Sequence, residues 1–358
     1  MKKSKVIQSL VSIGLVIVIL VVLNNFLTSF QARIFNLCGI YIILALSLNL
    51  INGFVGLFSL GHSGFMAVGA YTSALLTMPK EMKEMNFFLE PIAPWLLNIE
   101  LPFPVALLIG GLLAALVGAL VAAPVLRLND DYLAIATLGF SEIIRVIFTN
   151  TQSMTNGALG LKGLTAIGIT GKSAEGYWWI WGIVILTVVF MVLLINSTYG
   201  RAFKAIREDE IAAEAMGVNL FKHKMMAFVI GSFFAGIGGS LLGHLMGTID
   251  PLLFRYLLTF NIVLIVVLGG IGSITGSVIS AIIVTIAMEA LRVLDGTMQF
   301  GSLVINGIPG TRMVVFSALL MLVILFYQRG LMGTKEFSWD WFKKLSFKSK
   351  NAKIAKRM

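Results

Sequence analysis

Long apolar runs, separated by short polar intervals, fill nearly all of the chain. A helix of about 20 mostly apolar residues is long enough to cross a bilayer. Ten such segments are predicted, at 6–27, 34–51, 54–78, 103–123, 132–149, 177–196, 225–247, 257–273, 276–294 and 312–328. The predicted fold is therefore an all-α polytopic membrane protein of about ten spans (eight at the fewest). Its single transmembrane domain covers 1–334, and a polar tail covers 335–358.

The pattern breaks in three places. At 49–71, NLINGFVGLFSLGHSGFMAVGAY, glycines alternate with Asn49, Asn52, Ser59, His62 and Ser63. At 268–277, LGGIGSITGS, the same mixture recurs. Every backbone amide in lipid needs a partner. Dense glycine then marks either close helix packing or a broken helix lining a cavity, and the interleaved polar residues favour the break. The third place is 126–145, where Asn129 or Asp130 can cap a helix start. Glu142 and Arg145 follow, three residues apart on one helix face. That pair faces either the bundle interior or the outer interface. The next loop, TNGALGLKG, is glycine-rich and predicted to be external.

One segment is of another kind. Gly200–Lys224 holds five basic and four acidic residues between two apolar stretches. Its alanines favour helix. Ile206, Ile211, Ala215 and Val218 are predicted to form one apolar stripe, and Gly217 can end the helix. Such a helix lies on the membrane surface or docks into a groove on another protein.

Composition sets the solvent. The 358 residues are 58% hydrophobic and 12% charged, which places them in lipid. The net charge is +10, and its distribution sets a side. With ten spans, both termini and Gly200–Lys224 share a side that carries eighteen of the 27 Lys and Arg residues. By the positive-inside rule that side is cytoplasmic. The basic tail, Lys343 to Arg357, reads as a stretch held near anionic headgroups, not as a nucleic-acid site. Trp339 and Trp341 before it suit an interfacial anchor. MKKSK and the apolar run after it read as an uncleaved first span, since no small-x-small cleavage site follows.

Little catalytic chemistry is visible. Cys38 is the only cysteine, so no disulfide forms within the chain. His62, His223 and His244 are far apart, and no metal site is predicted. His62 either meets a substrate carboxylate or bonds a neighbouring carbonyl to hold its loop. AIGITGKS at 166–173 imitates a phosphate loop, but Ala166 stands where glycine is required. No catalytic residue and no cofactor are assigned to this chain.

The sequence AIREDEIAAEAMGVN, residues 205–219, resembles the cytoplasmic coupling segment of ABC-importer permeases, specifically the branched-chain amino acid permeases of the LivM type. In the general importer pattern, Glu-Ala-Ala is followed by three residues and Gly. Ala212, Ala213 and Gly217 match it, while Ile211 replaces the Glu. Residues 46–72, 129–145 and 266–281 carry further resemblance, which covers roughly 40–330. It implies a half-transporter paired with a second, related permease. Two cytoplasmic subunits using ATP and Mg, and an extracytoplasmic substrate-binding protein, complete such an importer of leucine, isoleucine and valine. It implies a prokaryotic plasma membrane. Arg207, Glu208, Asp209, Glu210, Ala212, Ala213, Glu214, Ala215, Met216 and Gly217 become the ATPase-coupling residues. The expected substrate path takes in Asn49, Gly53, Gly56, Ser59, Gly61, His62, Tyr71, Thr137, Gly139, Glu142, Gly157 and Gly160. Half-helix N-termini around Gly53–Gly64 are the expected meeting place for a carboxylate.

Overall fold

The computed structural model describes residues 14, 18, 20–22, 26–128, 130–164, 174–295, 298–300, 303–305, 310–326, 330–333 and 336. Most of the first predicted span, Asn129, the phosphate-loop look-alike and the basic stretch 343–357 lie outside these residues.

Helix α1, Ser29–Asn49, opens with a capping box: Thr28 Oγ1 accepts from Gln31 N–H, and Gln31 Oε1 accepts from Thr28 N–H. It widens into a π-helical turn, Leu50–Val55, and stops at Gly56, whose φ of +89° suits glycine. The chain is non-helical until α2, His62–Thr77. The two spans expected at 34–51 and 54–78 therefore meet at a break over 56–61, not at 52–53.

Next come α3 (Phe103–Val125), α4 (Asp130–Asn150), the two-residue strand β1 (Leu161–Lys162) and α5 (Ala174–Asn196). The amphipathic segment follows as α6 (Thr198–Glu208) and α7 (Glu210–Ala215). Helix α8 (Leu220–Met246) leads to β2 (Thr248–Ile249), which pairs antiparallel with β1. Then come α9 (Tyr256–Gly269), α10 (Ile274–Ala290), the hairpin β3 (Met298–Phe300) with β4 (Leu303–Ile305), and α11 (Thr311–Phe326). Five described helices are long and apolar enough to span a membrane: α1 with its π turn, α3, α4, α5 and α8. Four shorter ones, α2, α9, α10 and α11, have 14 to 17 residues. The chain is a multi-pass, all-α membrane protein.

The core is the α2–α3–α8 trio. Glycine permits it: a Cβ on Gly69 would fall on the Gly236 carbonyl of α8. Small residues let membrane helices approach and gain dispersion contacts where no hydrophobic force pulls them together. Ser240 Oγ bridges the same contact, donating to Gly69 O at 2.8 Å.

Contacts between turns define two ends. At one end, Leu101 N–H donates to Leu76 O, Ala93 N–H to Ser153 O, and Leu164 N–H to Gly247 O. There Lys83 is wholly buried and donates to Leu96 O and Ile99 O. Burial pulls its pKa below the ordinary lysine value, opposed by Glu100. At the other end, Arg207 reaches Gly53, Asn49 reaches Ser273, and Leu331 N–H donates to Leu268 O.

The amphipathic segment departs from the single expected helix. Asp209 is extended (φ −161°, ψ 111°), ends α6, and caps α7 by accepting from Ala212 N–H at 3.0 Å. That kink rotates the two halves. Phe203 and Ile206 are buried against the bundle, whereas Ile211 is 82% exposed. The expected stripe through Ile206, Ile211, Ala215 and Val218 does not form. Gly217 ends α7 as expected: at φ +83° its N–H donates to Glu214 O, and Val218 N–H donates to Ala213 O.

Candidate functional site

Both glycine-rich segments break helices, and the two breaks touch. Asn49, wholly buried near the end of α1, donates to Ser273 O (2.9 Å) and Ser277 Oγ (2.8 Å) and accepts from Gly272 N–H (2.9 Å). All of this amide's polar atoms go to the α9–α10 turn. Gly53 leaves room for it: a Cβ there would strike Asn49 Oδ1 and lie 2.6 Å from Gly272 N. Arg207 of α6 joins them, donating from Nη1 to Gly53 O at 2.8 Å and lying along Gly56 and Gly272. A freed carbonyl of the π turn thus receives a charge-assisted hydrogen bond. Asn49, Gly53, Gly56 and Arg207 form one junction.

From Gly56 the chain re-enters the bundle. Asn52 braces it: Oδ1 accepts from Ser59 N–H, and Nδ2 donates to Ser59 O. Leu60 N–H donates to Thr137 Oγ1 on α4 (3.0 Å), and Gly61 lies against the Thr137 carbonyl. His62, buried at the first turn of α2, meets Ser47 Oγ at 2.8 Å. Ser47 Oγ also lies 2.8 Å from Leu44 O, so this hydroxyl links the His62 ring to the backbone of α1. Ser63 N–H donates to Thr259 Oγ1 on α9. Ser59, Gly61, His62 and Thr137 therefore form a second cluster. It lies deeper: Ser47 precedes Val55 by eight residues, roughly 12 Å of helix.

The remaining path residues lie toward the other end or apart. Tyr71 is buried between Phe148 and Phe254. Glu142 pairs with Arg145 at 2.7 Å, half-buried, and its second oxygen accepts from Tyr256 N–H at 3.4 Å. Gly157 and Gly160 have positive φ in a tight turn, where Asn156 Nδ2 donates to Gly160 O. Gly139 meets nothing within 4 Å of a would-be side chain and joins no cluster.

Beyond Arg207, the coupling candidates face outward. Glu208, Asp209, Ala212, Glu214, Ala215 and Gly217 are exposed, and Met216 is 84% exposed. Ala213 is buried, and Glu210 pairs with Lys224 at 2.5 Å, which pins α7 to α8. Ile211 and Met216 are thus two exposed apolar side chains on a segment that also exposes Glu208, Asp209 and Glu214. Among the described residues, no three His, Cys, Asp or Glu side chains group as metal ligands would.

The profile of the family described as "Branched-chain amino acid transport system / permease component" matches residues 30–325. The chain belongs to that permease family. It is 34% identical to the high-affinity branched-chain amino acid transport permease LivM of Escherichia coli K12 over 302 residues, 77% of this chain. The match spans 66% of that relative's length, just under two thirds. A probable LivM of Methanocaldococcus jannaschii is 26% identical, over 83% of this chain and 91% of the relative. LivH of Escherichia coli K12 is also 26% identical, over 86% and 96%. No solved structure matches.

Sequence reasoning named most of the permease's first break and only half of its partners. Ser47 and Thr259 sit in ordinary apolar helices, where serine or threonine carries no signal of its own, whereas Ser63 and Ser277 lie within the two glycine-rich segments. Glu336 fell within the predicted tail, yet it accepts from Ile274 N–H (2.6 Å) and Thr275 N–H (3.0 Å) at the start of α10. Only the helix-start field beside it explains that placement.

Proposed function

We propose that this permease is the membrane subunit of an ABC importer that moves leucine, isoleucine and valine into a prokaryotic cell across its plasma membrane. In this reading the chain has ten spans, with both termini and α6–α7 in the cytoplasm. A second, related permease completes the pathway, and an extracytoplasmic binding protein delivers the amino acid. Two cytoplasmic subunits hydrolyse MgATP, and this chain binds neither nucleotide nor metal.

The junction under Arg207 carries the reading. One residue of the surface segment is bonded to the break in α1 and packed on the break between α9 and α10, while Ile211 and Met216 project from the same segment. A partner that seats on α7 can therefore bias both breaks through a single contact. LivM and LivH relatives, which share a family and differ in name, support a pair of unlike permeases.

The test is uptake of labelled leucine by proteoliposomes holding this chain with its neighbouring permease, ATPase subunits and binding protein. Uptake should require ATP and every component. Uptake that persists without the ATPase subunits would instead mark a secondary transporter. A binding protein that takes urea, a short amide or another amino acid would change the cargo and leave the mechanism standing.

A further inference from the structure

The starts of three helices, α2, α9 and α10, can be compared. Two of them hold a carboxylate of the protein. At α9, Glu142 Oε1 accepts from Tyr256 N–H. At α10, Glu336 accepts from Ile274 N–H, Thr275 N–H and the Thr275 hydroxyl. The positive field of a helix start explains both. The third, α2, has no acidic residue in its first turn and no side-chain cap.

In place of a carboxylate, α2 presents an unmatched hydroxyl. Ser63, its second residue, is fully enclosed, and its Oγ has no hydrogen-bond partner among the described residues. A buried polar atom without a partner is uncommon in a folded protein and asks for a missing ligand. Next to it, Ser63 N–H is held only by Thr259 Oγ1 at 2.9 Å. A side-chain hydroxyl can turn away when a stronger acceptor arrives. Tyr71, two turns further along the same helix, has a second buried hydroxyl with no partner. Both residues contact the seam between α2, α4 and residues 254–259: Ser63 through Thr259, Tyr71 through Phe148 and Phe254.

Building on the importer reading, we propose that the start of α2 is a station for the carboxylate of the travelling amino acid. Ser63 Oγ and Ser63 N–H donate to it, and Thr259 yields its place. The depth fits, because a site roughly 12 Å along the helix from Val55, the end of the π turn, lies well inside a hydrocarbon core about 30 Å thick. Broken helices place their N-termini on anionic substrate groups at such depths.

The experiment uses the assembled importer in nanodiscs without binding protein, and reads binding of labelled leucine. Two competitors separate the charged ends: 4-methylpentanoate has the carboxylate and no amine, and leucinol has the amine and no carboxylate. The wild type should lose label to 4-methylpentanoate and keep it against leucinol. Ser63→Ala should weaken leucine binding about tenfold, the loss of one hydrogen bond to a charge. ATPase subunits should still co-purify with that variant. Ser63→Thr and Ser63→Val, which differ by the hydroxyl alone, repeat the comparison should the alanine variant fail to assemble; the threonine form should bind better. Equal binding by wild type and Ser63→Ala, equal binding by the threonine and valine forms, or leucinol competing as well as 4-methylpentanoate each overturns the station. Complete importer that takes up leucine equally well with Ser63→Ala overturns the station alone. Wild-type importer that takes up no leucine overturns the importer reading and the station with it.

Discussion

At the scale of single residues, the junction between the breaks rests on what glycine leaves out. Gly53 has no Cβ, so Asn49 can lie across it and reach Gly272, Ser273 and Ser277. Gly53→Ala should therefore force Asn49 or the Gly272 backbone to move. Overpacking of this kind costs about 1–3 kcal/mol, and thermal unfolding of the purified protein in detergent should show the loss. Gly139 is the matched control. It lies in α4 with open space around it, so Gly139→Ala should keep the melting temperature or raise it by helix propensity. The sequence marked both glycines alike. Nothing in a run of small residues tells which one faces a neighbour across more than 200 positions of chain, and the Asn49–Ser273 contact supplies that answer.

At the scale of elements, the amphipathic segment shows where periodicity reads correctly and where it fails. Charge density, alanine content and Gly217 were enough to place a helix and its end. The kink was hidden because Asp209 was read as one more surface charge, whereas its side chain caps α7. Capping competes with helix continuation for aspartate, so the residue splits the segment. This changes how coupling should be tested. Charge reversal at Glu208 and Asp209 removes a cap as well as a charge. Asp209→Asn keeps a capping oxygen and drops the charge, so it separates the two effects. The double reversal should uncouple ATP hydrolysis from uptake, and Asp209→Asn should retain more coupling, read as leucine moved per ATP hydrolysed. Gly217→Pro should uncouple as well, because proline fixes φ near −65° where the chain needs +83° and removes the N–H that bonds Glu214 O. Membrane insertion should be unchanged in all three. Ordinary coupling in all of them would reduce α7 to a surface helix.

At the scale of the whole molecule, hydropathy outlined the bundle because lipid demands continuous apolar length, and it misplaced the helix ends at the two breaks because breaks are made by hydrogen bonding. The same contacts order the chain from end to end. Gly53, Arg207, Asn49, Ser273 and Leu331 gather at one end, while 76–101, 153–164 and 247 gather at the other. In the proposed topology α7 is cytoplasmic and the 80–97 loop is outside. Cysteine labelling can read both placements at once, since Cys38 is the only native thiol and is wholly buried. Phe88→Cys and Trp95→Cys replace exposed side chains in that loop, and Ile211→Cys and Met216→Cys replace exposed ones on α7. A membrane-impermeant maleimide should modify the first pair on intact cells and the second only in inverted vesicles, with little background from Cys38. Assembly with the ATPase subunits should then shield Ile211→Cys and Met216→Cys while leaving the loop pair reactive. Labelling of all four from the same face would overturn the placement of the two pairs on opposite sides. Equal reactivity of the α7 pair with and without ATPase subunits would detach Ile211 and Met216 from their proposed partner.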